Sequence, residues 1–299
     1  MLGNARYAHK SARSGLCSVC VYTQALSQGE QRRSEIIHSF QSALEREEFE
    51  VYVQPQVRCS DKQVCGAEAL VRWRRPDRGL CYPDEFIPVL EQTGDIVDLD
   101  FFVYRKVFEF QHGARMRGRQ PIPISVNVSR VHLLNSEEFL ARLRLLHEEF
   151  PIPASLVMFE LTESAYIQEI NHAKQLIAKL HHLGYRVSMD DFGSGYSSLK
   201  VLQTTPFDEI KFDKAFLRKS PEEKEDCLFL HIIELVKRLG APVVCEGAET
   251  QAHVELLERS ACDIIQGYYY YRPFPLGELH EESASPVPPV RASLPRLCS

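Results

Sequence analysis

Seven apolar runs in this 299-residue chain each carry a side chain that could do chemistry. Glu68 interrupts Ala67-Glu68-Ala69-Leu70, Asn127 interrupts Ser125-Val126-Asn127-Val128-Ser129, and Glu160 sits in Phe159-Glu160-Leu161. Asp190 and Asp191 close Val187-Ser188-Met189, and Lys211 and Asp213 alternate with Ile210 and Phe212. Glu246 follows Val243-Val244-Cys245, and Gln266 follows Ile264-Ile265. An ionised carboxylate is costly to bury alone, and several together repel. Basic side chains or hard divalent cations resolve that cost, and Lys211 is the one lysine in the set. An oxygen-rich donor set of this kind suits Mg²⁺ or Mn²⁺. The set holds no histidine, which argues against zinc. Taken singly, each acid reads as a salt bridge or a helix cap. Seven together, on seven strands, point to a functional site.

Two ions sharing a bridging carboxylate suit in-line attack of water on a phosphodiester. Asp190-Asp191 offers the bridge. Lys211 either holds the attacking water or offsets charge on the phosphorane, and Glu246 either orients that water as a base or adds a ligand. Asp191-Phe192-Gly193-Ser194-Gly195-Tyr196-Ser197-Ser198 is a hydroxyl-rich loop that shapes the site or closes over it. Its lone GxG is a weak phosphate signal, with no P-loop lysine behind it.

The elements that must carry these residues follow from periodicity. The pattern predicts strands over residues 49–57, 67–73, 124–129, 157–162, 186–191, 209–213, 243–246 and 264–269. It predicts helices over 34–46, 97–112, 136–149, 169–183, 223–239 and 251–259. Gly184 and Gly240 sit where a helix stop needs left-handed backbone. Alternation of this kind implies α/β architecture with a parallel sheet. Eight strands over about 245 residues fit a closed (β/α)8 barrel, whose active sites lie at the C-terminal strand ends. An open doubly wound sheet would place a Gly-rich loop after its first strand, and none follows Pro55.

Lys and Arg number 35 against 41 Asp and Glu, a net charge of −6, which argues against a coat for nucleic acid and gives no DNA partner. No apolar run is long enough to span a bilayer. Met1–Lys10 is polar, unlike a signal peptide, and the nine cysteines read as reduced thiols, so the expectation is a cytoplasmic protein. Cys17 and Cys20 form one CxxC without a second pair at zinc spacing. Residues 1–33 are basic and too short for a domain, 34–278 form the barrel, and the Pro- and Ser-rich 279–299 read as a disordered tail.

With these residues in order, the chain resembles the EAL-domain cyclic di-GMP phosphodiesterases over about residues 49–275. The strings that carry the resemblance begin with Tyr52-Val53-Gln54-Pro55, Glu68-Ala69-Leu70-Val71-Arg72-Trp73, Ser125-Val126-Asn127-Val128-Ser129 and Glu160-Leu161-Thr162-Glu163-Ser164. They continue with Asp190-Asp191-Phe192-Gly193-Ser194-Gly195-Tyr196, Lys211-Phe212-Asp213, Glu246-Gly247-Ala248-Glu249 and Gln266-Gly267-Tyr268. The resemblance implies a modified triosephosphate-isomerase-type (β/α)8 barrel that hydrolyses cyclic di-GMP to the linear dinucleotide in a bacterial cytoplasm. It implies two Mg²⁺ or Mn²⁺ ions, with inhibition by Ca²⁺. Glu68, Asn127, Glu160 and Asp190 would hold one ion, Asp190 and Asp191 the second, with Glu246 as base or water-mediated ligand and Lys211 positioning water. Gln54, Leu70, Arg72, Asp213 and Gln266 match substrate-lining positions. Glu163 matches a residue that steadies the loop after Asp191, and Glu249 an outer position. Ser194, Phe212 and Ala248 depart from the commonest residues, and none is a ligand. A homodimer is expected by the same likeness. The alternative class is a cyclic di-GMP receptor or interaction module without chemistry, and the complete acid set favours the enzyme. Residues 4–22 resemble the last helix and strand of a GGDEF cyclase domain, which implies a piece of a GGDEF–EAL protein.

Overall fold

The protein is described here from a computed structural model covering residues 24–193, 207–217 and 223–279. The N-terminal residues 1–23 with Cys17 and Cys20, the loop from Ser194 onward and the tail beyond Leu279 lie outside the described residues. Two compact units divide the chain. The smaller takes the described residues up to Glu50 together with Arg72–Ile96, and the larger takes Val51–Val71 and the described residues from Val97 onward.

In the smaller unit, helix α1 (Gln24–Glu45) buries Ile36, Phe40 and Ala43, a spacing that puts them on one face. This helix starts ten residues before the predicted Ser34. Strand β1 (Phe49–Arg58) begins here, and β2 (Val64–Arg75) ends here, pairing antiparallel with β3 (Gly79–Cys81). Phe49 and Phe86 pack on Trp73 with ring centroids 4.8 and 5.7 Å away, and the Trp73 indole N–H donates to Glu48 at 3.0 Å. Helix α2 (Pro83–Thr93) opens on a proline in its first turn, where the missing N–H costs nothing. It stops at Gly94, whose φ of 87° needs a residue without Cβ. Neither β3 nor α2 was predicted: one is three residues long, and Pro83 and Pro88 make the other read as a loop.

The larger unit is a closed eight-stranded barrel with helices around it. After β2 come β4 (Ile124–Asn127), β5 (Val157–Thr162), β6 (Arg186–Phe192), β7 (Glu209–Phe212), β8 (Val243–Cys245) and β9 (Ile264–Ile265), each parallel to the one before. Pairing of β1 with both β9 and β2 closes the ring. The expectation of an all-parallel sheet needs correction, because β1 runs antiparallel to β9. A hairpin of a few residues joins β1 to β2, and a connection that short cannot make a parallel crossover. A short β10 (Phe274–Pro275) adds antiparallel to β1 through Val53 and Tyr52.

The helices are α3 (Ile96–Met116), α4 (Arg130–Leu134), α5 (Ser136–Glu149), α6 (Glu163–Gln168), α7 (Ile170–His182), α8 (Glu223–Arg238) and α9 (Gln251–Arg259). Helix α7 shows why they form: Ala173, Leu176, Ile177 and Leu180 lie fully buried on one stripe. The short α4 and α6 escaped the pattern, being little more than a turn each. Acids at strand entries hold the barrel's other end. Asp208 accepts from the Val187 N–H and Asp263 from the Val243 N–H, both at 2.8 Å. Cys59, Cys65, Cys81, Cys245 and Cys262 are free thiols, and no helix among the described residues is long and apolar enough to cross a membrane.

Glu209, at the start of β7, is 4% exposed. Burial pushes its carboxyl above the usual range, against the pull of Lys211 and Arg186. A carboxyl raised in the folded state binds its proton more tightly there than in the unfolded chain. Stability therefore falls as pH rises from the ordinary carboxylate range through the raised value. Glu209→Gln is expected to raise the urea midpoint at about pH 8, with the gain vanishing by about pH 3, where both states are protonated. A midpoint unchanged at both values would show that Glu209 carries no such cost.

Candidate active site

Four of the acids singled out in the sequence gather on one buried cation. Lys211 of β7 is fully buried, and its ammonium lies 2.6 Å from Glu246, 2.8 Å from Glu160, 3.0 Å from Glu68 and 3.4 Å from Asp190. These acids come from the end of β8, from β5, from β2 and from β6. Parallel register explains part of the convergence: Asn127 stands opposite Glu160, and Thr162 opposite Asp190. Burial opposes the lysine's charge, but Asp190, Glu160, Glu246 and Glu68 together push its pKa well above the ordinary value.

One ammonium cannot satisfy four carboxylates. Burial drives the Glu160 carboxyl well above its usual range and also raises Asp190, in both cases against the pull of Lys211. Glu246, pushed up by burial and then by Asp190 and Glu68, reaches about 8. Glu68 goes the other way. Its burial is outweighed by Lys211 and by hydrogen bonds from Gln266 at 2.6 Å and Asn127 at 3.4 Å, so it stays ionised. The cluster is short of positive charge.

Asp190 and Asp191 sit on an irregularity. The β6–β7 register slips between Met189 and Phe192, and Asp191 takes a φ of 55°. A bulge of this kind re-aims side chains that a regular strand would send to opposite faces. The Asp191 carboxyl is raised to about 6 by burial and by its neighbours Asp190 and Asp213. Just beyond, the Gly193 N–H donates to Glu163 at 2.9 Å. Gly193 has a φ of 89°, and a Cβ there would meet the Phe216 ring at 2.1 Å, so glycine is required at this turn.

Gln266 has a defined orientation. Its amide nitrogen donates to Glu68 and, at 3.3 Å, to Gln54, while its oxygen accepts from Gln56 at 2.9 Å. Gln54 donates in turn to the Tyr271 carbonyl at 3.0 Å. Gln56 was missed in the sequence, although it lies two residues from Gln54 on the same strand face.

Other expected residues stand apart. Glu249 is exposed just before α9, and its backbone N–H donates to Nδ1 of His253 at 3.3 Å. Leu70 is half-buried on β2. Arg72 belongs to the smaller unit, where its guanidinium lies 5.2 Å from the centre of the Tyr82 ring. Ser194 to Ser198 of the expected loop lie outside the described residues.

The residues suit hard divalent cations. All donors in the cluster are oxygens apart from the lysine, carboxylates are in excess, and Glu160 keeps one buried oxygen without a hydrogen-bond partner. As placed, no group of three His, Cys, Asp or Glu side chains among the described residues could hold a metal ion, and four of the acids turn toward the Lys211 ammonium.

Known proteins resemble the chain in sequence and in fold. The family model of the EAL domain matches residues 37–273. Cyclic di-GMP phosphodiesterase NbdA of Pseudomonas aeruginosa is 32% identical over 283 residues, covering 94% of this chain and 36% of that protein. Biofilm architecture maintenance protein MbaA of Vibrio cholerae is 34% identical, covering 92% of this chain and 34% of that protein. The chain thus spans about a third of the length of these relatives. Among solved structures, the PaMucR phosphodiesterase in complex with c-di-GMP superposes with a TM-score of 0.77 at 30% identity, covering 82% of this chain and 99% of that one. A barrel of this topology, ringed at one end by strand-borne acids around a buried lysine, and matched by that model over most of its length, belongs to the EAL domain family.

Proposed function

We propose that the chain is a metal-dependent phosphodiesterase that hydrolyses cyclic di-GMP to the linear dinucleotide. The observation that carries this reading is the excess of buried carboxylates around Lys211, which leaves room for further positive charge. Glu68, Asn127, Glu160 and Asp190 would hold one Mg²⁺ or Mn²⁺, and Asp190 with Asp191 a second. Bound there, two ions would supply an activated water and steady the leaving oxygen. Glu246, raised to about 8 even with Lys211 beside it, holds its proton at neutral pH, and bound ions would favour the carboxylate form that takes a proton from that water. Lys211 keeps its proton and offsets charge that builds on the phosphoryl group. Gln54, Leu70, Arg72, Asp213 and Gln266 would line the substrate site. Glu163 would hold the Gly193 turn beside the two aspartates, and Glu249 an outer position. The same reading makes the protein a cytoplasmic homodimer and a portion of a longer GGDEF–EAL chain.

The test is turnover of cyclic di-GMP by the purified chain with Mg²⁺ or Mn²⁺, resolved by chromatography, with Ca²⁺ as the comparison. Linear dinucleotide forming with Mg²⁺ or Mn²⁺ and suppressed by Ca²⁺ is the expected result. Tight binding without product would make the protein a receptor, and the hydrolytic reading would fall.

A further inference from the structure

Asn127 is the last residue of β4, exposed at the strand's end, with its amide donating to Glu68 at 3.4 Å. What holds such an end in place is a matter of its backbone. On one side, β5 pairs with it and the Val128 N–H donates to the Glu160 carbonyl at 2.9 Å. On the other side stands α3. The Tyr104 hydroxyl donates to the Asn127 carbonyl at 2.8 Å. One turn earlier on the same helix face, Asp100 accepts from the Ser129 N–H at 3.3 Å. Asp100 is itself 2.9 Å from Nε2 of His132, buried on α4. Tyr104 is 1% exposed, and its ring is enclosed by Phe101, Phe139 and Phe159 at 5.2, 6.2 and 5.7 Å. The hydroxyl therefore has a fixed place.

We propose that Tyr104, with the Asp100–His132 pair one turn away, is a positioning residue that clamps the Asn127–Ser129 backbone and so aims the Asn127 amide at a divalent cation. This inference rests on the metal reading above. Its physical basis is that groups behind a ligand set its direction, and that losing one typically weakens metal affinity by about 10- to 100-fold. The plainer reading is that the phenol merely satisfies a buried carbonyl. Another buried tyrosine separates the two: the Tyr185 hydroxyl lies 2.9 Å from Nδ1 of His147, on α5.

The experiment is Mn²⁺ binding to the full chain, followed by the electron paramagnetic resonance signal of free Mn²⁺, without substrate. Tyr104→Phe is expected to raise the Mn²⁺ dissociation constant about tenfold, while Tyr185→Phe stays within about twofold of the parent. Circular dichroism confirms that each is folded. If Tyr104→Phe does not fold, Asp100→Asn carries the same expectation and criterion. Binding within about twofold of the parent overturns the proposal, as does an equal loss in Tyr185→Phe, which would mark a general loosening. If the parent itself binds no Mn²⁺, the metal reading falls and takes this inference with it.

Discussion

Lys211→Met lowers the unfolding free energy by about 3–5 kcal/mol, the range for removing one partner of a buried charged set. Methionine fills much of the lysine's volume, so the loss is electrostatic rather than a cavity. Glu68, ionised beside Lys211, would be left among three further buried acids with no ammonium between them. Addition of Mg²⁺ is expected to recover part of the loss, because a bound cation stabilises only the folded state. Chemical denaturation with and without Mg²⁺ reads both effects. A variant as stable as the parent would mean that these acids are not ionised together, and the charge deficit would vanish with them.

Asp190→Asn is expected to abolish turnover while sparing the fold. The substitution keeps the shape and removes one carboxylate from a cluster that already has too many. The Asp190 carboxyl is raised in the folded protein by burial, so its ionised form costs stability there. The unfolding midpoint should stay level or rise at neutral pH. Turnover should fall on the order of a thousandfold, the effect of losing ~4 kcal/mol of transition-state stabilisation at a metal-dependent centre. Steady-state hydrolysis and denaturation on the same preparation decide it. A variant that keeps the parent's rate would remove Asp190 from the ligand set. One that unfolds would make Asp190 a structural residue rather than a functional one.

These two expectations pull apart because the site is assembled for charge rather than for stability, a trade seen where activity needs a strained centre. The smaller unit shows the contrast. There, Phe49, Trp73 and Phe86 bury apolar surface, and the Trp73 N–H finds a carboxylate at its edge. That carboxylate, Glu48, has its counterion in Arg46 at 3.1 Å.

The barrel strands were legible because each is a short apolar run, and β5 and α5 begin and end where the periodicity says. The acids were legible for the same reason: each interrupts such a run, and so many on successive strands exceed what single salt bridges or helix caps explain. Elements of three to six residues, such as α4, α6 and β3, are too short to show a period. Proline at both ends of its first half hid α2. Gln56 and Tyr104 were missed because an amide beside an amide, or an aromatic on an apolar helix face, looks like ordinary packing until its partner is known.

What the sequence determines by itself is local: residue type, period 2 or 3.6, helix stops at glycine, and the strand on which each acid rides. It also carries, through the order of its motifs, the family. What only the tertiary structure decided is long-range. Lys211 meets Glu68 across 143 residues and Gln56 meets Gln266 across 210. The reversal of β1, the bulge that turns Asp190 and Asp191, and the grip of α3 on the Asn127 turn belong here too. None is encoded in a window of neighbours. Each follows from closing the barrel, when strand register and helix packing bring distant polar groups into one low-dielectric space and leave them to satisfy one another.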